Sequence, residues 1–195
     1  MRRDNHKVHP RRRQWSIQPA RSGVATVWLI VSFPAMLAAL HLVLEVGWMH
    51  RTRSELQIAV NGAALAGARV WGTGGTNNAT LRSLAKSASS EILASHPISG
   101  DTPLSAVSAN DNPASTNNNE ACPGSILLGS FTAAVFSAGI PPDSADERAC
   151  RVSITIDVDS PFGLGSRTFV ATATAAWDSA NVKAHLVTVE TFTCL

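Results

Sequence analysis

The sequence predicts an α+β protein with a single N-terminal transmembrane helix, and three observations lead to this class. Residues 23–47 contain no Lys, Arg or Asp and reach their first carboxylate at Glu45. The segment that follows is rich in residues with high helix propensity. Farther along, apolar and polar residues alternate in a way that is typical of half-buried β-strands. We therefore expect a membrane helix that continues as a helix outside the bilayer, followed by a small mixed domain with an antiparallel sheet.

The apolar run is long enough to cross a membrane. Its 25 residues would reach about 37 Å as a helix, whereas a hydrocarbon core is roughly 30 Å thick. A cleaved signal peptide is the alternative, because such peptides also begin with a basic region and an apolar core. The apolar core here exceeds the roughly 7–15 residues of a signal peptide, and no small-residue cleavage site closes it. We expect an uncleaved signal anchor, with residues 23–49 as the transmembrane helix.

The charges on the two sides of this run differ in sign. Residues 1–22 carry seven basic residues and one acidic residue, whereas residues 54–195 carry seven basic and twelve acidic ones. Basic segments next to a span stay in the cytoplasm. Arg51 and Arg53 on the far side oppose this orientation but are outnumbered. The prediction is an inner-membrane, single-pass protein with a cytoplasmic N-terminal segment (1–22) and a periplasmic C-terminal domain; the net charge of +2 averages two compartments and does not indicate nucleic-acid binding.

The extracytoplasmic continuation, residues 50–71, has a narrow stripe of apolar and small residues. Small residues also recur four positions apart, as in Gly62 and Ala66, so another helix could approach this surface closely. The stripe, called the seam below, packs either on the protein's own exported domain or on a helix of a partner subunit. Its members are Leu56, Val60, Ala63, Gly67 and Val70.

Several short motifs in this part of the chain occur in a fixed order. They are Arg21-Ser22-Gly23-Val24-Ala25, Pro34, Glu45-Val46-Gly47, Arg53, Glu55-Leu56-Gln57, Ala59 and residues 61–68, NGAALAGA. This order resembles the N-terminal segment of TadG-like proteins, over roughly residues 21–70. That family, with its TadE-like relatives, belongs to the machinery that assembles Flp pili. The resemblance implies a membrane-anchored component of Flp-type pilus assembly or secretion, with other assembly proteins as partners.

The exported domain, residues 72–195, shows strand and helix patterns. Strict alternation predicts a strand at 151–159, and we also expect strands at 126–131, at 167–177, which is rich in small residues, and at 182–192. Apolar spacing predicts a second helix at 79–95. Residues 96–123 are rich in Ser, Asn, Pro and Gly, which predicts a flexible insert. Longer TadG-like proteins carry a von Willebrand A-like domain with a metal site, but Asp157-Val158-Asp159-Ser160-Pro161 departs from its motif. The strand order is similar to that of short exported pseudopilin-like domains.

All three cysteines lie beyond the apolar run, at positions 122, 150 and 194, in what would be an oxidising compartment. Three thiols allow one pair and one leftover, or no pair at all. A Cys122–Cys150 disulfide would close a loop of about 29 residues and contribute on the order of 3–4 kcal/mol in the chain-entropy model. The leftover thiol could pair between subunits.

No motif for catalysis stands out in the sequence. The six histidines are not spaced as zinc ligands, and no nucleophile elbow or phosphate-binding loop occurs. We therefore expect no catalytic residues, no metal or cofactor, and no small-molecule substrate. His41 and Glu45 are polar groups within or beside the membrane run; Glu45 reaches water or pairs with Arg51 or a partner's basic group. The alternative function is a membrane-tethered envelope enzyme whose site, within residues 79–195, has no recognisable motif.

Overall fold

In the computed structural model the described residues are 22–76, 79–99, 104, 125–138, 148–163 and 165–194. Within these described residues, two helices are followed by five strands. This order, with one candidate transmembrane helix, confirms the predicted α+β class. The chain forms two compact units, Met1–His41 and Leu42–Leu195, called the N-terminal and C-terminal units below. The predicted basic arm lies outside the described residues except for Ser22.

The first helix, α1 (Ser22–Thr73), is 52 residues long. In the N-terminal unit it supplies all of the described residues, and its apolar side chains there are exposed. Pro34 lies inside this part of the helix, where it lacks the N–H that would bond to the preceding turn. Ser32 nearby donates a hydrogen bond from Oγ to the Trp28 carbonyl oxygen at 2.7 Å. Beyond the first turn of the helix, the remaining backbone donors of this segment can bond within the helix, as a membrane requires.

The C-terminal unit contains a five-stranded antiparallel sheet in the order β2-β1-β3-β4-β5. Its strands are β1 (Ser125–Thr132), β2 (Val135–Ala138), β3 (Arg148–Asp159), β4 (Ser166–Asp178) and β5 (Lys183–Cys194). The long β3–β4 hairpin pairs Asp159 with Ser166 at its turn and Ala149 with Ala176 at its open end. The four predicted strands correspond to β1, β3, β4 and β5, and the second helix, α2 (Ala79–Ser95), has its predicted bounds.

The short strand β2 was not predicted, because its turn carries no sequence signal. Ala133 and Ala134 connect β1 to β2 with φ angles of 49° and 65°. Two consecutive positive φ angles belong to a type I′ turn, for which Asn-Gly and similar pairs are the usual residues. Two alanines in that conformation are strained, and sequence reasoning had no reason to place a hairpin there.

The core of the C-terminal unit lies between the helices and one face of the sheet. The sheet contributes alternate residues from three strands, including Val152 and Ile154 of β3 and Phe169 of β4. β4 contributes alanines at 171, 173 and 175, and α1 contributes alanines at 59, 63, 64 and 68. Small residues on both elements let helix and sheet backbones approach closely. Ile98 and Leu104, which fall in the predicted insert 96–123, are also buried in this core; most of that insert lies outside the described residues.

Candidate functional site

The seam predicted from the sequence lies in the core of the C-terminal unit. Leu56, Val60 and Ala63 are fully buried, Gly67 is buried, and Val70 is partly buried against the same core. The sequence left open whether the seam packs on the protein's own domain or on a partner helix. In the structure it packs within the chain. A partner helix would reach these five residues only if the C-terminal unit opened.

The second helix of this chain makes the close approach that the small residues allow. Ser89 of α2 donates a hydrogen bond from Oγ to the carbonyl oxygen of Ala63 at 2.9 Å. A Cβ on Gly67 would lie 2.3 Å from Ser89 Oγ and 2.6 Å from Cys150 Sγ, and one on Gly62 would lie 3.2 Å from Ile92 Cγ2. The absence of a side chain at Gly67 is therefore a condition for packing α1 against both α2 and β3.

A buried arginine caps the C-terminal end of α1. Arg148, at the start of β3, is 1% exposed and donates from Nη1 to the carbonyl oxygens of Trp71 at 2.7 Å and Gly74 at 2.9 Å. Its Nη2 donates to the Gly75 carbonyl oxygen at 2.8 Å. A cation is favoured there because the last carbonyls of a helix carry partial negative charge and lack partners within the helix. Sequence reasoning missed this role, since a lone basic residue before an apolar strand has many interpretations.

The apolar part of α1 has no protein packed against it. Among the described residues, one helix, Gly23–Thr73, is long and apolar enough to cross a membrane, and its most apolar 18-residue window is not buried at all. Large side chains along this window, such as Trp28 and Met36, are about two-thirds exposed. These features fit membrane anchoring, because such a surface is stable in hydrocarbon and not in water.

Comparison with family models gives a match over residues 23–70, to the Tad family, described as Flp pilus-assembly TadE/G-like. This stretch of α1 is TadE/G-like. The match confirms the resemblance predicted from the motifs, and it supports a role in Flp pilus assembly. Neither the curated proteins nor the solved structures give a significant match to the chain. The TadE/G-like segment includes both the exposed apolar run and the seam, so the matched residues supply the candidate anchor and much of the domain core.

Glu45, in the TadE/G-like segment, is buried beside the β3–β4 turn. It is 4% exposed, and its Oε2 accepts a hydrogen bond from Ser160 Oγ at 2.6 Å. Of the alternatives left open for Glu45, contact with water is not seen, because the side chain is buried, and Arg51 Nε instead contacts Glu55 Oε1 at 2.7 Å. The other oxygen, Oε1, and the hydroxyl of Thr52 are buried with no hydrogen-bond partner in the described part of the chain.

A second group of contacts attaches the loop after α2 to the TadE/G-like segment. Trp48 Nε1 donates to Ser99 Oγ at 3.0 Å, and its ring meets Phe169 edge-on with centroids 6.0 Å apart. The backbone N–H of Ser99, a residue with φ 53°, donates to Glu55 Oε2 at 2.9 Å. Partial burial raises the pKa of Glu55, but the hydrogen bonds from Arg51 and from the Ser99 backbone lower it by more, so the net pKa is below its ordinary value.

Cys150 is buried and forms no disulfide within the part of the chain that the structure describes. Burial raises its pKa to about 12, although the Ser89 hydroxyl, 3.7 Å from Sγ, and the charge of Lys86 work in the opposite direction. The thiol is therefore protonated at physiological pH and is a poor nucleophile. Cys122 lies outside the described residues, so the Cys122–Cys150 disulfide stays a prediction.

Within the residues that the structure describes, no group of three or more His, Cys, Asp or Glu side chains could hold a metal ion. His41 is half-buried in α1, and His50, His96 and His185 lie in three other places along the chain. The carboxylates of Glu55 and Glu45 accept hydrogen bonds from Ser99 and Ser160 and so join α1 to neighbouring structure. The chemistry of these contacts is positioning by hydrogen bonds.

Proposed function

We propose that this protein is a non-enzymatic, membrane-anchored component of Flp pilus assembly or of the associated secretion apparatus, and that it acts through protein–protein contacts. The observation that carries the proposal is the TadE/G-like match over residues 23–70. The proposal extends that match from a general role in pilus assembly to a mechanism without catalysis.

The proposed topology follows from charge and hydropathy. Residues 23–49 cross the inner membrane, the basic segment 1–22 stays in the cytoplasm, and residues 50–71 and the domain at 72–195 lie in the periplasm. Support comes from the seven basic residues before the apolar run and the acidic excess after residue 53. The exposed apolar side chains of α1 give further support.

Partner contacts belong on surfaces that the fold leaves free. The seam residues contribute to the core of the C-terminal unit, so we do not assign them to a partner. In the N-terminal unit, by contrast, the side chains of residues 23–40 of α1 are exposed, and His41 is half-buried. In the bilayer this surface can pack against the membrane helix of another assembly protein, where association depends on shape and on small residues rather than on hydrophobicity alone.

Deletion of the gene and complementation with span variants tests the proposal. We expect the deletion to abolish surface Flp pili and the wild-type chain to restore them. A variant in which residues 24–44 are replaced by an unrelated apolar helix of the same length should stay in the membrane but restore fewer pili. Normal piliation of the deletion strain would contradict the proposed role, and full rescue by the replaced span would contradict partner contacts in the membrane.

A reporter fusion at Leu195 tests the topology separately. An enzyme that is active only outside the cytoplasm should be active at this position, and an enzyme active only in the cytoplasm should be inactive. The opposite pattern would reverse the assignment of the two sides while leaving the membrane anchor in place.

A further inference from the structure

We propose that the β3–β4 turn, meaning Ser160, Pro161, Phe162 and Gly163, docks into the phospholipid headgroup layer beside α1. Phe162 would supply the apolar contact and Arg167 the contact to lipid phosphate. The inference rests on the proposed membrane anchoring and adds a second, independent point of contact between the C-terminal unit and the bilayer.

A side-chain hydrogen bond holds the turn against α1 at residue 45. Ser160, 8% exposed, donates to Glu45 Oε2 at 2.6 Å. The turn itself is closed by backbone hydrogen bonds from Ser160 N to Gly165 O at 2.9 Å and from Gly163 N to Ser160 O at 3.2 Å. Ser160 Oγ also accepts a hydrogen bond from Phe162 N at 3.1 Å. The hydroxyl of Ser160 thus organises the turn and ties it to residue 45 of the helix.

Residue 45 lies where the membrane surface is expected. It comes 22 residues after Gly23 in the sequence, which corresponds to about 33 Å of helix, close to the roughly 30 Å thickness of a hydrocarbon core. Its neighbours Leu44 and Val46 are 46% and 40% exposed, and both are apolar. Beyond them, Trp48 and Leu56 pack into the protein core. The change from exposed to buried apolar side chains puts Glu45 and the turn at the boundary between hydrocarbon and headgroups.

The residues of the turn suit that location. Pro161 is exposed and Phe162 is half-buried, and no charged residue occurs between Asp159 and Arg167. Phenylalanine is among the apolar residues that insert at the boundary between headgroups and acyl chains.

Arg167 provides the polar part of the proposed contact. It pairs in register with Val158, a residue of the helix-covered sheet face, so strand alternation places it on the same face as α1. Its Nε is buried and has no hydrogen-bond partner in the part of the chain that the structure describes. Guanidinium groups bind phosphate with charge-assisted hydrogen bonds. Together with the adjoining exposed apolar residues 42–44 and 46, this chemistry indicates a phospholipid surface as the occupant.

The test is a comparison of two fluorescent probes on the full-length protein in vesicles of phosphatidylethanolamine and phosphatidylglycerol. Cys122 and Cys194 are replaced by Ser, and Cys150 is kept because its buried, protonated thiol should not react. An environment-sensitive dye is attached at Pro161→Cys or, as the matched control, at Val182→Cys. Val182 is 71% exposed in the turn at the other end of β4, a strand whose 13 residues separate the two turns by about 40 Å.

Lipids that carry a quencher on the headgroup should quench the dye at position 161 several-fold more strongly than the dye at position 182. Both proteins should float with the vesicles, and their unfolding temperatures should match. Flotation with equal quenching at the two positions would overturn the inference and leave the anchor intact. Failure of either protein to float would overturn the anchoring proposal, and this inference with it.

Three further substitutions in the Pro161→Cys protein separate the contributions. Ser160→Ala removes the hydrogen bond to Glu45, Phe162→Ser removes the apolar contact, and Arg167→Gln removes the cation. Each should reduce quenching at position 161 without changing flotation, and the same substitution made in the Val182→Cys protein should leave the signal at position 182 unchanged. If all three leave quenching unchanged, the turn does not dock through these side chains and the inference is wrong.

Discussion

Two stretches of α1 have contrasting surfaces although they belong to one continuous helix. Residues 24–46 carry large apolar side chains such as Trp28, Leu29 and Met36, which are exposed. Residues 56–71 contain more small residues, and the apolar side chains at 56, 59, 60, 63, 64, 68 and 71, which range from alanine to tryptophan, are fully buried. The first stretch is also more uniformly apolar, because Gln57, Asn61 and Arg69 interrupt the second. Side-chain size adds to this contrast, because lipid accommodates any shape whereas a neighbouring helix or sheet requires a matching one.

This difference between the two stretches determines at which positions of the helix a glycine is needed for packing. A Cβ on Gly47 would have no atom within 4 Å, whereas one on Gly67 would lie in the space of Ser89 and Cys150. The same residue type is therefore dispensable for packing at one position and required at the other. Substitutions at these two glycines give the sharpest test of the comparison.

Gly67→Leu should have the largest effect. The added atoms overlap α2 and β3, so we expect a loss of about 3 kcal/mol or more in the free energy of unfolding of the C-terminal unit. Pulse proteolysis of the detergent-solubilised full chain in increasing urea measures this loss. The matched variant Gly47→Leu should change stability by no more than about 1 kcal/mol, mostly through helix propensity. Equal behaviour of the two variants would mean that the seam is not packed within the chain.

Arg148→Met should have the next largest effect. It leaves the carbonyl oxygens of Trp71, Gly74 and Gly75 without their donor. The variant no longer buries a charge, which offsets part of this cost, and we expect the free energy of unfolding to fall by about 2–3 kcal/mol. Thermal unfolding measures the loss. Arg69→Met removes an exposed arginine near the same end of α1 and should change stability by less than about 0.5 kcal/mol.

Arg148→Lys refines this prediction. An ammonium group keeps the charge but cannot reproduce the planar fork that meets several carbonyl oxygens at once. Its stability should fall between that of the wild type and that of Arg148→Met. If lysine restores full stability, the helix end needs only a positive charge and not the hydrogen-bond geometry.

A substitution in the β1–β2 turn should raise the stability of the C-terminal unit rather than lower it. Replacing Ala133-Ala134 by Asn-Gly removes strain at two positive φ angles and should stabilise the C-terminal unit by about 1 kcal/mol. Ala138→Gly, in the adjoining strand, is the control and should destabilise it. A turn variant no more stable than the wild type, judged by urea midpoint, would show that the alanines are not strained.

The smallest effect concerns Glu55. Because its folded-state pKa is below its ordinary value, its contribution to stability is present above the unfolded-state pKa and is lost as pH falls through the folded-state pKa. Glu55→Gln should therefore cost about 0.5 kcal/mol at pH 7 and very little well below the folded-state pKa. Urea midpoints for both proteins across this pH range check the sign; a cost that grows on acidification would refute it.

Local patterns were sufficient to predict much of this fold. The alternation of Val152, Ile154, Ile156 and Val158 with polar residues located β3, and apolar spacing located α2 at its observed bounds. Both signals depend only on periodicity within one element. The family resemblance was equally local, since the matched residues 23–70 all lie within α1.

Contacts between distant residues could not be predicted in the same way. Nothing around Arg148 in the sequence indicates that it meets Trp71, 77 residues earlier, and nothing near Glu45 indicates Ser160 as its partner. The seam was recognised as a packing surface, but its occupant was left open because small residues specify close approach and not the element that approaches.

The hydrogen bond between Arg148 and Trp71 also has a consequence for synthesis. Its two ends are 77 residues apart, so at about 5–20 residues per second the end of α1 leaves the ribosome roughly 4–15 seconds before Arg148 does. During that interval its last carbonyls lack their arginine donor, and β3 and β4, which later cover its small-residue face, have not yet been made. The nascent chain therefore exposes the apolar face of this helix for several seconds. A chaperone that binds exposed apolar surface would bind the chain best during that interval.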